Sequence, residues 1–137
     1  MSEKLMRKMI VDALRPLHAV SIENGVGVGT PDVNCAAGWI ELKECDAWPV
    51  RPDTPLRVPC FSPEQKIWLM KRYNAGGTAW LLLKVGADFL LFSGAVAAEH
   101  LGISTRAELI ELADAAWLDG FDKEGFLEIV GRGPNAG

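Results

Sequence analysis

The sequence predicts one domain of mixed α/β (α+β) class, with a central sheet flanked by helices in the order α-β-β-β-α-β-β-α. Apolar residues recur at helical spacing near the N-terminus, continuous apolar runs of strand length lie in the middle of the chain, and a strong helix-start signal separates two groups of strands. The 137 residues, of which 49% are hydrophobic and 23% charged, are enough for one soluble domain with a buried core.

The first part of the chain is predicted to form a helix followed by an antiparallel ribbon of three strands. Ser2 is a suitable N-cap, and Pro16 is expected to end the helix because proline cannot continue one. A glycine-rich segment and the Ala37-Gly38 pair mark the two turns of the ribbon. Its three predicted strands are residues 18–22, 32–35 and 39–43.

The second part is predicted to begin with an irregular, proline-rich segment at residues 45–60. Ser62, Pro63 and Gln65 then form a strong helix start, with a serine cap, a proline at the first position and a glutamine three residues after the cap. That helix is expected to end near Tyr73. The remaining predicted elements are strands at 79–85 and 89–92, a helix at 105–118 and a short last strand at 126–130.

Residues 94–137 are predicted to be an acidic helical extension of a core that spans residues 3–92. The extension holds eight acidic and three basic residues, whereas the whole chain has a net charge of −4. The part before the extension is therefore close to neutral, and its surface is more basic still if some of its acids bind a metal. The net negative charge of the whole chain is therefore no argument against a nucleic-acid partner for this part.

Several classes of protein are excluded by pattern. Three cysteines without a CxxC pair predict reduced thiols, and neither a disulfide framework nor a zinc site. The charged N-terminus is unlike a signal peptide, and Lys84 and Asp88 interrupt the most apolar region, so a cytoplasmic protein without a membrane span is expected. Gly25, Gly27 and Gly29 precede a strand instead of a helix, so no nucleotide cofactor is predicted.

Three charged residues of the second and third predicted strands are the candidates for chemistry. Alternation along a strand sends Glu41 and Lys43 to the face opposite Ile40 and Leu42. If the two strands pair through the short turn, Asp32 projects from the same side as Glu41. This would place two carboxylates and a lysine in one pocket.

Such a set suits metal-dependent hydrolysis of phosphodiesters. Mg²⁺ prefers hard oxygen ligands, which Asp32, Glu41 and the backbone carbonyl of Leu42 would supply, and Mn²⁺ is expected to substitute for it. A bound metal lowers the pKa of its water and offsets charge on the attacked phosphate. Lys43 is predicted to hold the attacking water or to neutralise the charge that develops on the phosphate.

Pro31-Asp32, eight intervening residues and Glu41-Leu42-Lys43 together resemble the signature of the PD-(D/E)xK nuclease superfamily. Over about residues 3–92, the order of elements is similar to that of archaeal Holliday-junction resolvases and of the compact VRR-type nucleases of phages and repair enzymes. A second pair, Pro52-Asp53, has no matching strand after it and is discounted.

The resemblance implies a restriction-endonuclease-like core and adds two residues to the site. Glu3 on the first helix matches the family's glutamate that completes the metal site, although Glu23 competes for that role. Gln65 matches the family's glutamine on the helix after the third strand, and its place in a capping box is a complete structural alternative. The resemblance further implies a homodimer that cuts branched or flapped DNA, and a phage origin would be in keeping with it.

Nucleic-acid contacts are predicted on the proline-rich segment and on the helix after it. Trp48 is expected to stack on an exposed base and the basic residues to contact phosphates, with a stiff loop or a solvated helix face as the competing interpretation. These residues are Trp48, Arg51, Arg57, Lys66, Lys71 and Arg72. Two alternatives to a DNA nuclease stay open: a catalytically inactive nuclease fold that binds DNA or assembles with a partner, and an RNA-processing nuclease.

Overall fold

A computed structural model describes residues 1–22 and 27–134 of the chain, and within them six strands form one mixed sheet. The strands are β1 (Val20–Ser21), β2 (Val33–Cys35), β3 (Gly38–Cys45), β4 (Ala79–Val85), β5 (Asp88–Ser93) and β6 (Ala115–Trp117). The helices are α1 (Glu3–Ala13), α2 (Pro63–Asn74), α3 (Gly94–His100), α4 (Arg106–Leu112) and α5 (Lys123–Arg132), with a 3₁₀ helix at Arg15–Leu17. The predicted mixed α/β class is confirmed.

The strands lie in sequence order across the sheet. Neighbouring strands are antiparallel except for β3 and β4, which are parallel. Parallel neighbours need a crossover connection, and α2 lies in the crossover between β3 and β4. Because α2 packs on α3 and β4, it covers the sheet on the side of the crossover.

Two apolar cores lie on opposite faces of the sheet. On one face, α1 and α5 pack over β2 and β3 in a core that includes Met6, Ile10, Ile40, Phe126 and Val130. On the other face, α2, α3 and α4 cover alternate residues of β4, such as Leu81 and Leu83. Since side chains alternate along a strand, each core receives every second residue of the central strands. The continuous apolar run of β4 is explained by this double burial.

The capping signals read from the sequence are realised at the first two helices. The Ser2 hydroxyl accepts a hydrogen bond from the Leu5 N–H, and α1 ends ahead of Pro16. At α2, Ser62 and Gln65 form a complete capping box. Each cap satisfies backbone donors that the first turn of a helix leaves unpaired.

The strand predicted at residues 126–130 is wrong, because these residues lie inside α5. Asp122 caps that helix by accepting a hydrogen bond from the Gly125 N–H. Phe126 and Val130, one helical turn apart, are both buried in the core beside α1. This four-residue spacing of large apolar side chains is a helical signal within a run that also matches a short strand.

The helix predicted at residues 105–118 is too long. α4 begins after a Thr105 cap but ends at Leu112. Residues 115–117 instead form β6 by pairing with β5, so sheet pairing overrides the helix propensity of this alanine-rich segment. The acidic C-terminal segment thus contributes a strand to the same sheet and a helix to the core that covers it. No helix within the described residues is both long and apolar enough to cross a membrane.

Candidate functional site

The pairing of β2 with β3 sets two acids opposite each other. A two-residue turn, Ala36-Ala37, joins the strands one residue earlier than predicted, and Val33 pairs with Ile40. Continuing this antiparallel register by one residue places Asp32 opposite Glu41, where facing side chains have Cβ atoms about 5 Å apart. The two carboxylates face each other because of this register, whereas the turn predicted at Ala37-Gly38 would place them on one side of the ribbon with Asp32 opposite Lys43.

Strand alternation sorts the side chains of β3 between the two faces. Ile40 and Leu42 lie in the core under α1, whereas Glu41 and Lys43 lie on the opposite face, toward α2. Gly38 allows β3 to begin close to β4, because a Cβ there would lie 2.4 Å from the carbonyl oxygen of Thr78. The predicted phase of this strand is confirmed.

Asp32 is held by two donors. Its Oδ2 accepts a hydrogen bond from the Leu42 N–H at 2.9 Å, and its Oδ1 lies 3.2 Å from the guanidinium of Arg7 on α1. Pairing with β2 ends before this point, so Asp32 occupies the edge of β3 in place of a neighbouring strand. The N–H and carbonyl of one residue leave an extended strand on the same side, so the Leu42 carbonyl leaves β3 on the side of Asp32.

Glu41 is the one fully buried acidic side chain among the described residues, with 1% of its surface exposed. Its Oε1 lies 3.3 Å from the Lys43 ammonium and 3.4 Å from the Nε2 of Gln65. Burial raises the pKa of Glu41 to about 9, helped by the negative charge of Asp32 and opposed by Lys43. Glu41 therefore holds a proton at neutral pH unless a further cation joins the site.

Lys43 places a positive charge beside the two acids while 92% of its own surface is covered, since only 8% is exposed. Its Nζ lies 6.0 Å from the centroid of the Phe61 ring, and the Nζ of Lys66 lies 5.3 Å from the same ring. An aromatic face attracts a nearby cation through its quadrupole. Phe61 is thus flanked by two ammonium groups, one of which contacts Glu41.

Gln65 fulfils both of the interpretations that its sequence position allows. Its Oε1 accepts a hydrogen bond from the Ser62 N–H at 2.9 Å, which closes the capping box. Its Nε2 donates to Glu41. The amide is therefore held at both ends, and it ties the start of α2 to the acid pair.

Glu3 is separated from the acid pair by a cation. The Arg7 guanidinium lies 3.5 Å from Glu3 and 3.2 Å from Asp32, and the Glu3 side chain is 68% exposed. The competing candidate, Glu23, lies outside the described residues. Sequence reasoning missed Arg7, although its position one turn after Glu3 places it on the same face of α1. Its Nε atom is buried and has no hydrogen-bond partner among residues 1–22 and 27–134.

The acid pair offers the kind of ligand atoms that a hard divalent cation prefers. Asp32, Glu41 and the Leu42 carbonyl are oxygen donors of the kind Mg²⁺ prefers. Burial first, and the negative charge of Asp32 second, raise the pKa of Glu41, and a cation between the two carboxylates would offset both effects. Among residues 1–22 and 27–134, no three acidic, histidine or cysteine side chains are grouped closely enough to hold a metal. Water and substrate oxygens would have to complete the coordination.

The residues predicted to contact nucleic acid fall into two groups. The indole N–H of Trp48 donates to Asp88 at 2.8 Å, and Arg106 covers its ring at 5.4 Å, so Trp48 is engaged within the protein. Arg51 lines a surface depression with Arg106. Arg57 is exposed on the proline-rich segment.

The second group lies on α2, beside the acid pair. Lys66 reaches the Phe61 ring next to Lys43, and Lys71 is exposed. The guanidinium of Arg72 lies over two tryptophan rings, those of Trp39 and Trp68. Neither tryptophan was a predicted contact, because which face of α2 meets β3 depends on helix docking.

Comparison of the chain with protein-family models, with curated proteins and with solved structures finds no match.

Proposed function

We propose that this chain is a Mg²⁺-dependent nuclease that hydrolyses DNA phosphodiester bonds at the site formed by Asp32, Glu41 and Lys43. One observation carries the proposal: two facing carboxylates, one of them buried, are packed against a lysine and a glutamine at a strand edge that also offers a backbone carbonyl. A solvated ladder of surface ion pairs would have no reason to bury Glu41 and Lys43.

Each residue of the site then has a distinct task. Asp32 and Glu41 would hold the cation with the Leu42 carbonyl, and bound Mg²⁺ supplies a more acidic water and charge stabilisation at the phosphate. Lys43 orients the attacking water and neutralises negative charge on the phosphate oxygens. Gln65 is a positioning residue, because it touches Glu41 and orients that carboxylate.

The strand directions of the fold also support the proposal. From α1 to β4 the elements run α-β-β-β-α-β, with β1 to β3 antiparallel and β4 parallel to β3. This is the arrangement expected for the restriction-endonuclease-like core that the PD-(D/E)xK resemblance implies. On the same ground we propose a homodimer acting on branched or flapped DNA, with RNA as the competing substrate. The free cysteines favour action in the cytoplasm, and Mn²⁺ is the proposed substitute for Mg²⁺.

A second function is favoured by the ion pair between Arg7 and Asp32. A guanidinium 3.2 Å from Oδ1 occupies part of the space that a metal ligand shell would need. A nuclease fold that binds DNA or a protein partner without cutting would be stable with this pair in place. The two functions differ in one requirement: for catalysis, Arg7 must move away from Asp32 so that a cation can bind there.

The test is a cleavage assay over a panel of substrates with Mg²⁺ or Mn²⁺. The panel contains a four-way junction, a flap, a single strand, a linear duplex and RNA, and Glu41→Gln is the inactive control. Metal-dependent cutting that Glu41→Gln abolishes supports the nuclease, and the preferred substrate selects its class. Absence of cutting by folded wild-type protein on every substrate would reject the nuclease in favour of the non-catalytic module.

A further inference from the structure

Two tryptophans and an arginine form a layered group on the α2 side of β3, called here the tryptophan platform (Trp39, Trp68 and Arg72). The rings of Trp39 and Trp68 meet edge to face, with centroids 5.3 Å apart and planes at 67°. The Arg72 guanidinium lies 4.5 Å from the Trp68 centroid and 5.6 Å from the Trp39 centroid. Both rings are only partly buried.

The position of Arg72 depends on a glycine. A Cβ at Gly77 would lie 2.5 Å from the Cδ of Arg72, so the missing side chain leaves the space through which Arg72 bends back over the rings. Trp68, Lys71, Arg72, Ala75 and Gly77 line a surface concavity of 340 Å³. The lining is therefore aromatic, basic and small, and none of these described residues is acidic.

The two cations of the concavity have no ion-pair partner in the part of the chain that the structure describes. Among the described residues, no carboxylate lies within 4.0 Å of the charged group of Arg72 or Lys71. Arg72 instead keeps its guanidinium on the rings. A flat cation over an aromatic face, open to solvent and lacking an acid partner, is complementary to a flat, electron-rich group that carries negative charge nearby.

The platform adjoins the acid pair along both β3 and α2. Trp39 precedes Glu41 by two residues on the same face of β3, a distance of about 7 Å along the strand. On α2, Gln65, Trp68 and Arg72 follow one stripe, since they are separated by three and four residues. Gln65 contacts Glu41 while Trp68 contacts Trp39, so the two elements carry the platform and the acid pair side by side.

We propose that the tryptophan platform binds an unpaired base of a nucleic-acid strand whose backbone runs past the acid pair. The base stacks on the Arg72 guanidinium, which lies over the tryptophan rings, and Lys71 neutralises the adjoining phosphate. This inference rests on the proposed function and deepens it, because it makes a strand with unpaired nucleotides the substrate class. A fully paired duplex offers no free base to this surface.

The experiment measures equilibrium binding by fluorescence anisotropy of labelled DNA, with EDTA present so that no cutting occurs. The two probes are a blunt duplex and a duplex of the same sequence that carries a single-stranded overhang. Loss of one stacking contact weakens binding by about 5- to 150-fold. Trp68→Ala is therefore expected to weaken binding of the overhang probe by that factor and to leave binding of the blunt duplex within about twofold, and Trp68→Phe is expected to restore most of the loss.

Two further variants separate stacking from charge and from folding. Gly77→Ala keeps every charge but displaces Arg72, and it is expected to weaken binding of the overhang probe as Arg72→Ala does. Arg132→Ala removes an exposed arginine from α5, on the other face of the sheet, and is expected to leave both probes unaffected. Thermal unfolding of each variant confirms that the fold is present.

Each outcome decides between the platform and the nuclease. Equal weakening of both probes by Trp68→Ala, no weakening of either, or no binding of the overhang probe by the wild-type protein overturns the platform. Cleavage by the wild-type protein without a selective effect of Trp68→Ala supports the nuclease and rejects the platform. A selective effect without any cleavage keeps the platform as a binding site and rejects the nuclease.

Discussion

Arg7 of α1 lies 3.2 Å from the Oδ1 of Asp32, so the outer carboxylate of the acid pair already has a positive partner. The other oxygen of Asp32 is taken by the backbone N–H of Leu42. A divalent cation must therefore compete with a guanidinium for Oδ1. This competition makes Arg7 a candidate regulator of metal affinity, a role that its place on α1 did not suggest.

Replacing Arg7 is expected to strengthen metal binding. Arg7→Met keeps the apolar stem and removes the competing charge, and a partly exposed ion pair of this kind is worth about 1 kcal/mol, or roughly a fivefold change in affinity. Mg²⁺ binding is measured by calorimetric titration. Lys8→Met, which removes the neighbouring exposed charge of α1, is the matched control. Weaker Mg²⁺ binding by Arg7→Met than by the control would contradict the competition.

The metal-free protein is expected to lose stability as pH rises. The folded pKa of Glu41 is about 9, whereas its ordinary value is 4.5. Between these values the folded state holds a proton that the unfolded state lacks, so the free energy of unfolding falls with rising pH across that window. Urea unfolding in EDTA at pH 5, 7 and 9 measures the effect.

Glu41→Gln supplies the control for this pH dependence. Glutamine has the shape of a protonated glutamate and does not titrate, so the variant is expected to fold and to show a much flatter dependence between pH 5 and 9. An equally steep decline in wild-type protein and Glu41→Gln would mean that some other group is responsible. Addition of Mg²⁺ is expected to restore wild-type stability at pH 9, because a ligand that binds the folded state alone stabilises it.

Gln65 can be separated from its capping role by comparison with Ser62. Gln65→Ala and Ser62→Ala each break the capping box and are expected to cost about 1 kcal/mol of stability. Gln65→Ala also removes the hydrogen bond to Glu41, so only this variant is expected to lower the cleavage rate markedly. Unfolding curves and single-turnover rates of both variants check the prediction. Equal rates for the two variants would reduce Gln65 to a helix cap.

Lys43 is expected to act on the rate far more than on metal binding. Lys43→Met retains most of the buried volume and removes the charge, and loss of one group that stabilises charge at the reacting centre costs on the order of 100-fold in rate. Lys66→Met removes the other ammonium beside Phe61 and is expected to have a much smaller effect. A Lys43→Met enzyme that loses Mg²⁺ affinity but cuts at the wild-type rate when saturated would contradict this role.

The acid pair could be predicted because it depends on local rules. Alternation along β3 fixes the face of Glu41 and Lys43, and a turn placed one residue away shifts the pairing by two residues, which still leaves Asp32 on that face. The α2 capping box could be found for the same reason, since its donors and acceptors lie within four residues. These features need no knowledge of how distant segments dock.

The remaining features depend on docking between distant elements. Arg7 reaches Asp32 because of the way α1 lies on the sheet, and Trp68 meets Trp39 because of the face that α2 turns to β3. Trp48 was the predicted stacking residue because it stands among prolines and arginines, yet Asp88 and Arg106 engage it. No local pattern distinguishes these tryptophans from one another.

The central claim is tested most directly by the single-turnover rate of DNA cleavage in Mg²⁺, compared between the wild-type protein and Glu41→Gln on the best substrate. Asp32→Asn is measured alongside, with the folding of both variants verified by their unfolding curves. The account predicts metal-dependent cutting by the wild-type protein and a loss of at least about 100-fold in both variants, since each removes a carboxylate on which the charge-stabilising cation depends. Cutting by folded Glu41→Gln at the wild-type rate would contradict it.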